Sequence, residues 1–117
     1  LIIDCHSFPA QPLPYESDMN RPDICIGTDS YHTRTELKNC LLKAFEASGY
    51  RVTIDSPFSG SIVPFKHYHK DKRVASVMIE VNRSLYADPS GFKRVQSDLT
   101  HAISQAATIG PFDNLGE

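Results

Sequence analysis

The chain has 117 residues, the size of one compact domain, and 40% of them are apolar, enough for a modest core. Its 12 Lys and Arg against 14 Asp and Glu leave a net charge of −2, so nothing global calls for nucleic acid or an anionic membrane as a partner. No apolar run approaches the roughly 20 residues of a membrane span, and no signal-peptide pattern is present. Cys5, Cys25 and Cys40 are odd in number and widely spaced, with no C-x-x-C; reduced thiols in a cytoplasmic protein are the expectation.

Residues 1–3 are apolar and read as a buried strand that runs into Asp4, His6 and Ser7 and stops at Pro9. Alternation puts Ile2, Asp4 and His6 on one side and Leu1, Ile3 and Cys5 on the other. Asp4 and His6 can therefore face one site. A His beside a carboxylate suits a metal ligand or an acid–base group; the alternative is a capped strand end with a hydrogen-bonded His. A strand beginning at the first residue usually needs neighbours, so we expect the C-terminal part of a longer protein.

Residues 7–23 carry Pro9, Pro12, Pro14 and Pro22, which forbids a regular helix or central strand and predicts a long loop or lid. Residues 23–28 form a short strand ending in a Gly turn. The spacing of Leu37, Leu41, Ala44, Phe45 and Ser48 predicts a helix, opened by a capping box of Thr33 and Glu36 and stopped at Gly49. Residues 50–55 alternate as a strand. Residues 24–55 are thus a strand–helix–strand unit, which favours a partly parallel sheet.

A turn-rich loop follows at 56–61, then a short extended edge segment at 62–65. Residues 66–73 are basic, with Lys66, Lys70, Lys72 and Arg73 around His67 and His69, and read as a solvated hairpin tip. The H-x-H pair has metal-like spacing, but its positive neighbours favour a surface or substrate-contacting role. Residues 74–82 are apolar on both faces, as in a central strand. Val77, Ile79 and Val81 share one face; Met78, Glu80 and Asn82 share the other. Asp88 and Pro89 open a last helix with a stripe of Phe92, Val95, Leu99, Ala102, Ile103 and Ala106, ended by Gly110 and Pro111. The tail at 112–117 is expected to fray. His32 and His101 read as helix-flank and helix-surface residues.

Glu80 is the most informative residue. A carboxylate in a nearly continuous apolar strand is costly to bury unless it is paired or working, and burial raises its pKa toward the range of a general acid–base. A structural salt bridge with Arg83 is the other reading. Arg83 itself either clamps a substrate carboxylate or neutralises Glu80. Arg21, in the Pro-rich loop, is a second anion-binding candidate, although loop arginines are mostly exposed. No G-x-S-x-G, P-loop, dinucleotide fingerprint or H-E-x-x-H occurs. Cys5 and His6 are adjacent on a strand and point apart, against a thiol–His dyad.

Several segments then fall into a familiar order: Asp4-Cys5-His6-Ser7-Phe8-Pro9, Arg21-Pro22-Asp23-Ile24-Cys25-Ile26-Gly27-Thr28, Gly49-Tyr50-Arg51-Val52, Pro57-Phe58-Ser59-Gly60 and Ile79-Glu80-Val81-Asn82-Arg83-Ser84-Leu85-Tyr86. Together they resemble the N-formylglutamate amidohydrolase family, from residue 1 to about residue 88. The resemblance implies an α/β fold, zinc carboxypeptidase-like (phosphorylase/hydrolase-like), with a mixed, partly parallel sheet flanked by helices. It implies zinc as cofactor, His6 as one metal ligand and Glu80 as the catalytic carboxylate. Arg83, Arg21 and Asn82 would contact substrate, and Asp4 and Ser7 would support from behind. The substrate would be a small molecule like N-formyl-L-glutamate, hydrolysed to formate and glutamate.

The upstream His-Ser-Gly turn and acidic ligand that complete such a site are not found in this sequence. Residues 1–117 are therefore expected to be one domain that is incomplete without a missing N-terminal part of the same protein, itself the expected partner. The alternatives are a related zinc acylase or carboxypeptidase-like peptidase, or a non-catalytic fragment that binds an acidic ligand through its basic loop.

Overall fold

The structure is a computed structural model that describes residues 1–109. Four strands form one mixed sheet: β1 (Ile2–Phe8), β2 (Ile24–Gly27), β3 (Val52–Ile54) and β4 (Ser76–Asn82), in the order β1-β4-β2-β3. β1 runs parallel to β4 and β2 parallel to β3, while β2 and β4 are antiparallel. The unit β2–α1–β3, with α1 spanning Thr35–Ala47, is the expected strand–helix–strand crossover. β4 is buried along its whole length between two neighbours, as its two-sided apolar pattern requires. β1 differs from expectation. It has one strand neighbour among the described residues, so Ile2 and Ile3 are only half-buried and Leu1 is exposed.

The two faces of the sheet are covered differently. Ile24 and Ile26 of β2 and Val77, Ile79 and Val81 of β4 point one way, onto Leu37, Leu41 and Phe45 of α1 and Val95, Ala102 and Ala106 of α2 (Pro89–Ala107). Both described helices lie on this face, and the core forms there. The opposite face carries Asp4, His6, Glu80 and Asn82, and loops cross it rather than helices. Gly27 shows how close that crossing is: a Cβ there would overlap the Gly60 carbonyl oxygen and the Met78 side chain.

Local signals set the helix ends, with one exception. Asp88 caps α2 by accepting the Gly91 N–H at 2.7 Å, with Pro89 in the first turn. Gly49 follows α1 at φ +90°, the left-handed position that a helix stop favours. The capping box expected from Thr33 and Glu36 does not form. Arg34 is the cap residue and makes no side-chain cap bond. The Thr33 hydroxyl instead donates to Ser76 O and accepts from Asp29 N, tying the helix entrance to β4. The expected edge segment at 62–65 pairs with no strand, and Phe65 is 87% exposed. The basic segment at 66–73 is a run of turns, not a hairpin. Phe92, expected in the stripe of α2, is exposed beside β1, whose edge no helix covers among the described residues. The expected stop at Gly110 and Pro111 and the tail at 112–117 lie outside the described residues. Among the described residues no helix is long and apolar enough to cross a membrane.

The close crossing at Gly27 gives a test. Gly27→Ala should destabilise the chain by about 1–3 kcal/mol through overpacking, measured by urea unfolding. A change within about 0.5 kcal/mol, the scale of a neutral surface substitution, would mean that the loop does not lie against β2.

Candidate functional site

The parallel register of β1 and β4 sets His6 opposite Glu80. Asp4 lies two residues back on the same side, so all three side chains meet on the loop-covered face. His6 Nε2 stands 2.7 Å from Asp4 Oδ1, and His6 Nδ1 stands 3.6 Å from Glu80 Oε1. A carboxylate only accepts, so the short contact puts a ring proton on Nε2 and turns Nδ1 toward Glu80. This is the arrangement by which a second carboxylate orients a ligating or acid–base histidine. Asp4 is itself held, because its Oδ2 accepts the Ile62 N–H at 3.1 Å. The loop at 60–62 therefore braces Asp4, and Asp4 braces His6.

Glu80 is buried, whereas the His6 ring is half exposed. Burial is the largest influence on the Glu80 carboxyl and pushes its pKa above the ordinary value. Asp4 adds to the rise; positive charge at His6, Arg83 and Arg21 opposes it. Glu80 makes no direct ion pair with Arg83. Arg83 instead donates from Nε to Ser7 Oγ at 3.1 Å and from Nη2 to Ser7 O at 3.4 Å, across the ends of β4 and β1. Arg83 is exposed. Ser7 thus anchors Arg83.

Asn82 and Arg21 are both held by protein groups, and Arg21 sits differently from what its sequence context suggests. Asn82 is buried, with Nδ2 donating to Pro22 O and Oδ1 accepting from Ser84 N and Oγ. Its amide holds the turn after β4 (Arg83–Tyr86) and the end of the Pro-rich loop. Arg21 is not an exposed loop arginine; its side chain is 3% exposed. It stacks between Phe8 and Phe58, 5.4 and 5.3 Å from the ring centroids, donates to Pro9 O, and forms a two-bond fork with Glu16. Neither Glu16 nor the aromatic pair stands out in the sequence as its partner.

A second cluster was not foreseen. His32 is fully buried: its Nδ1 lies 2.7 Å from Val74 O, and its Nε2 accepts the His69 N–H at 2.8 Å. His69 reaches Asp29 at 3.0 Å and lies between the rings of Tyr31 and Tyr68. Burial works against the Asp29 charge, yet His69 and the His32 and Tyr31 N–H groups hold its carboxyl below the ordinary range. The cluster pins the basic segment to the entrance of α1. The only sequence signal for it is Asp29 two and three residues before those N–H groups, the spacing of an Asx turn. His67 is not part of it.

The raised Glu80 pKa has a consequence for stability. The folded chain keeps this proton at a pH where the unfolded chain has lost it. Stability should therefore fall as pH rises from the unfolded value, near 4.5, through the raised folded value. Glu80→Gln should remove that part of the slope, so the variant gains on the wild type across the window in urea midpoints taken at several pH values. Parallel pH profiles for the two proteins would contradict the buried, proton-holding carboxyl.

The sequence profile of the family described as N-formylglutamate amidohydrolase matches residues 1–87. Among solved structures, an N-formylglutamate amidohydrolase from Ralstonia eutropha superposes with a TM-score of 0.74 at 23% identity, covering 92% of this chain and 42% of that one. A gene product of Agrobacterium tumefaciens gives a TM-score of 0.60 at 19% identity, covering 91% of this chain and 42% of that one. At such identities the likeness speaks for the fold alone, and this chain spans about two fifths of the length of either neighbour. No curated protein matches the chain. The profile match, over most of the chain and across both strands that carry His6 and Glu80, shows that the chain belongs to the N-formylglutamate amidohydrolase family.

Proposed function

We propose that this chain supplies the His6–Glu80 part of a hydrolytic centre that cleaves the formamide bond of N-formyl-L-glutamate or a similar N-acyl amino acid. The observation that carries the reading is a buried carboxyl with a raised pKa whose Oε1 stands 3.6 Å from an imidazole nitrogen, Nδ1 of His6. Glu80 takes a proton from the attacking water as the water oxygen bonds to the formyl carbon. It then delivers that proton to the amine as the C–N bond breaks, giving formate and glutamate. A raised pKa suits both transfers, because the group must accept and release a proton near neutral pH. Arg83, exposed beside the site and fixed by Ser7, binds a substrate carboxylate. Asn82 acts through the turn that it holds.

Zinc belongs to the same proposal. His6 Nδ1 would be one ligand, oriented by Asp4. Zinc sites need three protein donors or more, and no group of three His, Cys, Asp or Glu suited to a metal ion occurs among the described residues. The donors present do not complete a zinc site by themselves. When bound, zinc would polarise the carbonyl and acidify the water. The three free thiols support a reducing, cytoplasmic setting for the reaction.

The test is formate release from N-formyl-L-glutamate by the intact protein, with zinc content measured in parallel. Glu80→Gln should keep the metal and lower the rate about 10²–10⁴-fold. His6→Ala should lose both metal and turnover. A near-normal rate for Glu80→Gln, or full zinc occupancy after His6→Ala, would contradict the respective roles.

A further inference from the structure

Ser76 is the polar residue of β4 that the proposed chemistry leaves unused. By alternation it stands on the Glu80 face of the strand, and it is fully buried. A buried hydroxyl is costly unless it is bonded, and every polar group of Ser76 is engaged. Its N–H donates to His32 O at 3.0 Å, and its carbonyl accepts the Thr33 hydroxyl at 2.6 Å. Both bonds tie the Ser76 backbone to the entrance of α1, within the body of the fold. The side chain reaches the covering loop instead. Its hydroxyl lies 2.7 Å from Ile62 O and 2.5 Å from Ser61 Oγ. A carbonyl only accepts, so the one hydroxyl proton of Ser76 goes to Ile62 O, and Ser61 donates to Ser76.

What this hydroxyl holds is not core. Ile62 belongs to no strand, and its side chain is 63% exposed. Fixing its backbone therefore buries little apolar surface. It aims one N–H, which Asp4 Oδ2 accepts at 3.1 Å. The other Asp4 oxygen, Oδ1, lies 2.7 Å from His6 Nε2. A line of three hydrogen bonds thus runs from Ser76 through Ile62 and Asp4 to His6. Upstream, the loop is anchored where Gly60 N–H donates to Thr28 O at 3.2 Å; at Ile62 the Ser76 hydroxyl holds it. We propose that Ser76 is a positioning residue: through Ile62 it holds Asp4, and through Asp4 it keeps the His6 ring turned toward Glu80. For its effect on catalysis the inference rests on the hydrolase reading; the line of bonds does not. Ser61 donates into Ser76 from outside this line and so serves as the control. Its loss removes a hydrogen bond of the same pair and leaves the line intact.

The test compares Ser76→Ala, Ser61→Ala and Ile62→Pro in the full chain by NMR. Ile62→Pro deletes the N–H that Asp4 accepts and leaves β4 unchanged, so it carries the test if Ser76→Ala fails to fold. In Ser76→Ala, exchange of the Ile62 amide proton should speed up about fivefold, the scale of one lost hydrogen bond, and the His6 ring nitrogen signals should shift. Ile62→Pro should shift the His6 signals in the same direction. Ser61→Ala should leave both readouts as in the wild type. Unshifted His6 signals in Ser76→Ala or in Ile62→Pro would overturn the proposal. An equal shift in Ser61→Ala would also overturn it, because the pair would then be structural only. In formate release from N-formyl-L-glutamate, Ser76→Ala should lower kcat about fivefold and leave KM unchanged, with Ser61→Ala at the wild-type rate. An unchanged kcat beside shifted His6 signals would deny Ser76 its positioning role. Absence of formate release from the wild type would count against the hydrolase reading and leave the NMR result as it is.

Discussion

The register between β1 and β4 is the constraint on which the site depends. Parallel pairing brings His6 level with Glu80, although 74 positions separate them in the chain. A slip of one residue would send His6 to the helix-covered face and bring Cys5 opposite the carboxylate. Alternation on β4 holds the register, because Val77, Ile79 and Val81 must stay in the core. The apolar half of the strand therefore aims its polar half.

Glu80 shows what that aim involves. A charged carboxylate in the middle strand of a sheet opposes folding, and its raised pKa is the measure of that opposition. The fold tolerates it because the face it occupies is roofed by loops. Both described helices pack on the other face, where the apolar stripes of α1 and α2 meet the sheet. Loops can approach the backbone closely, as at Gly27 and Gly60, and can present N–H groups, as Ile62 does to Asp4. Polar chemistry collects where the covering is made of such loops.

Much of this was legible in the sequence because it is encoded locally. The β2–α1–β3 unit follows from periodicity and a terminal glycine, the cap of α2 from Asp88 and Pro89, and the importance of Glu80 from its apolar surroundings. Partners that arrive from distant segments were not legible. Thr33 looks like half of a capping box, but Ser76 O and Asp29 N take its hydroxyl. Arg21 looks exposed until Phe8 and Phe58 close on it. His32 looks like a helix flank until the backbone at 69 and 74 reaches its two nitrogens. In each case a long-range hydrogen bond or ring contact outweighed the local pattern, and nothing within a short window announces it.

The central claim is that Asp4 fixes which nitrogen of His6 is available to chemistry. Long-range proton–nitrogen NMR of the His6 ring at neutral pH reads this directly. We expect a proton on Nε2, shared with Asp4, with Nδ1 facing Glu80. A proton resident on Nδ1, with Nε2 bare, would contradict it.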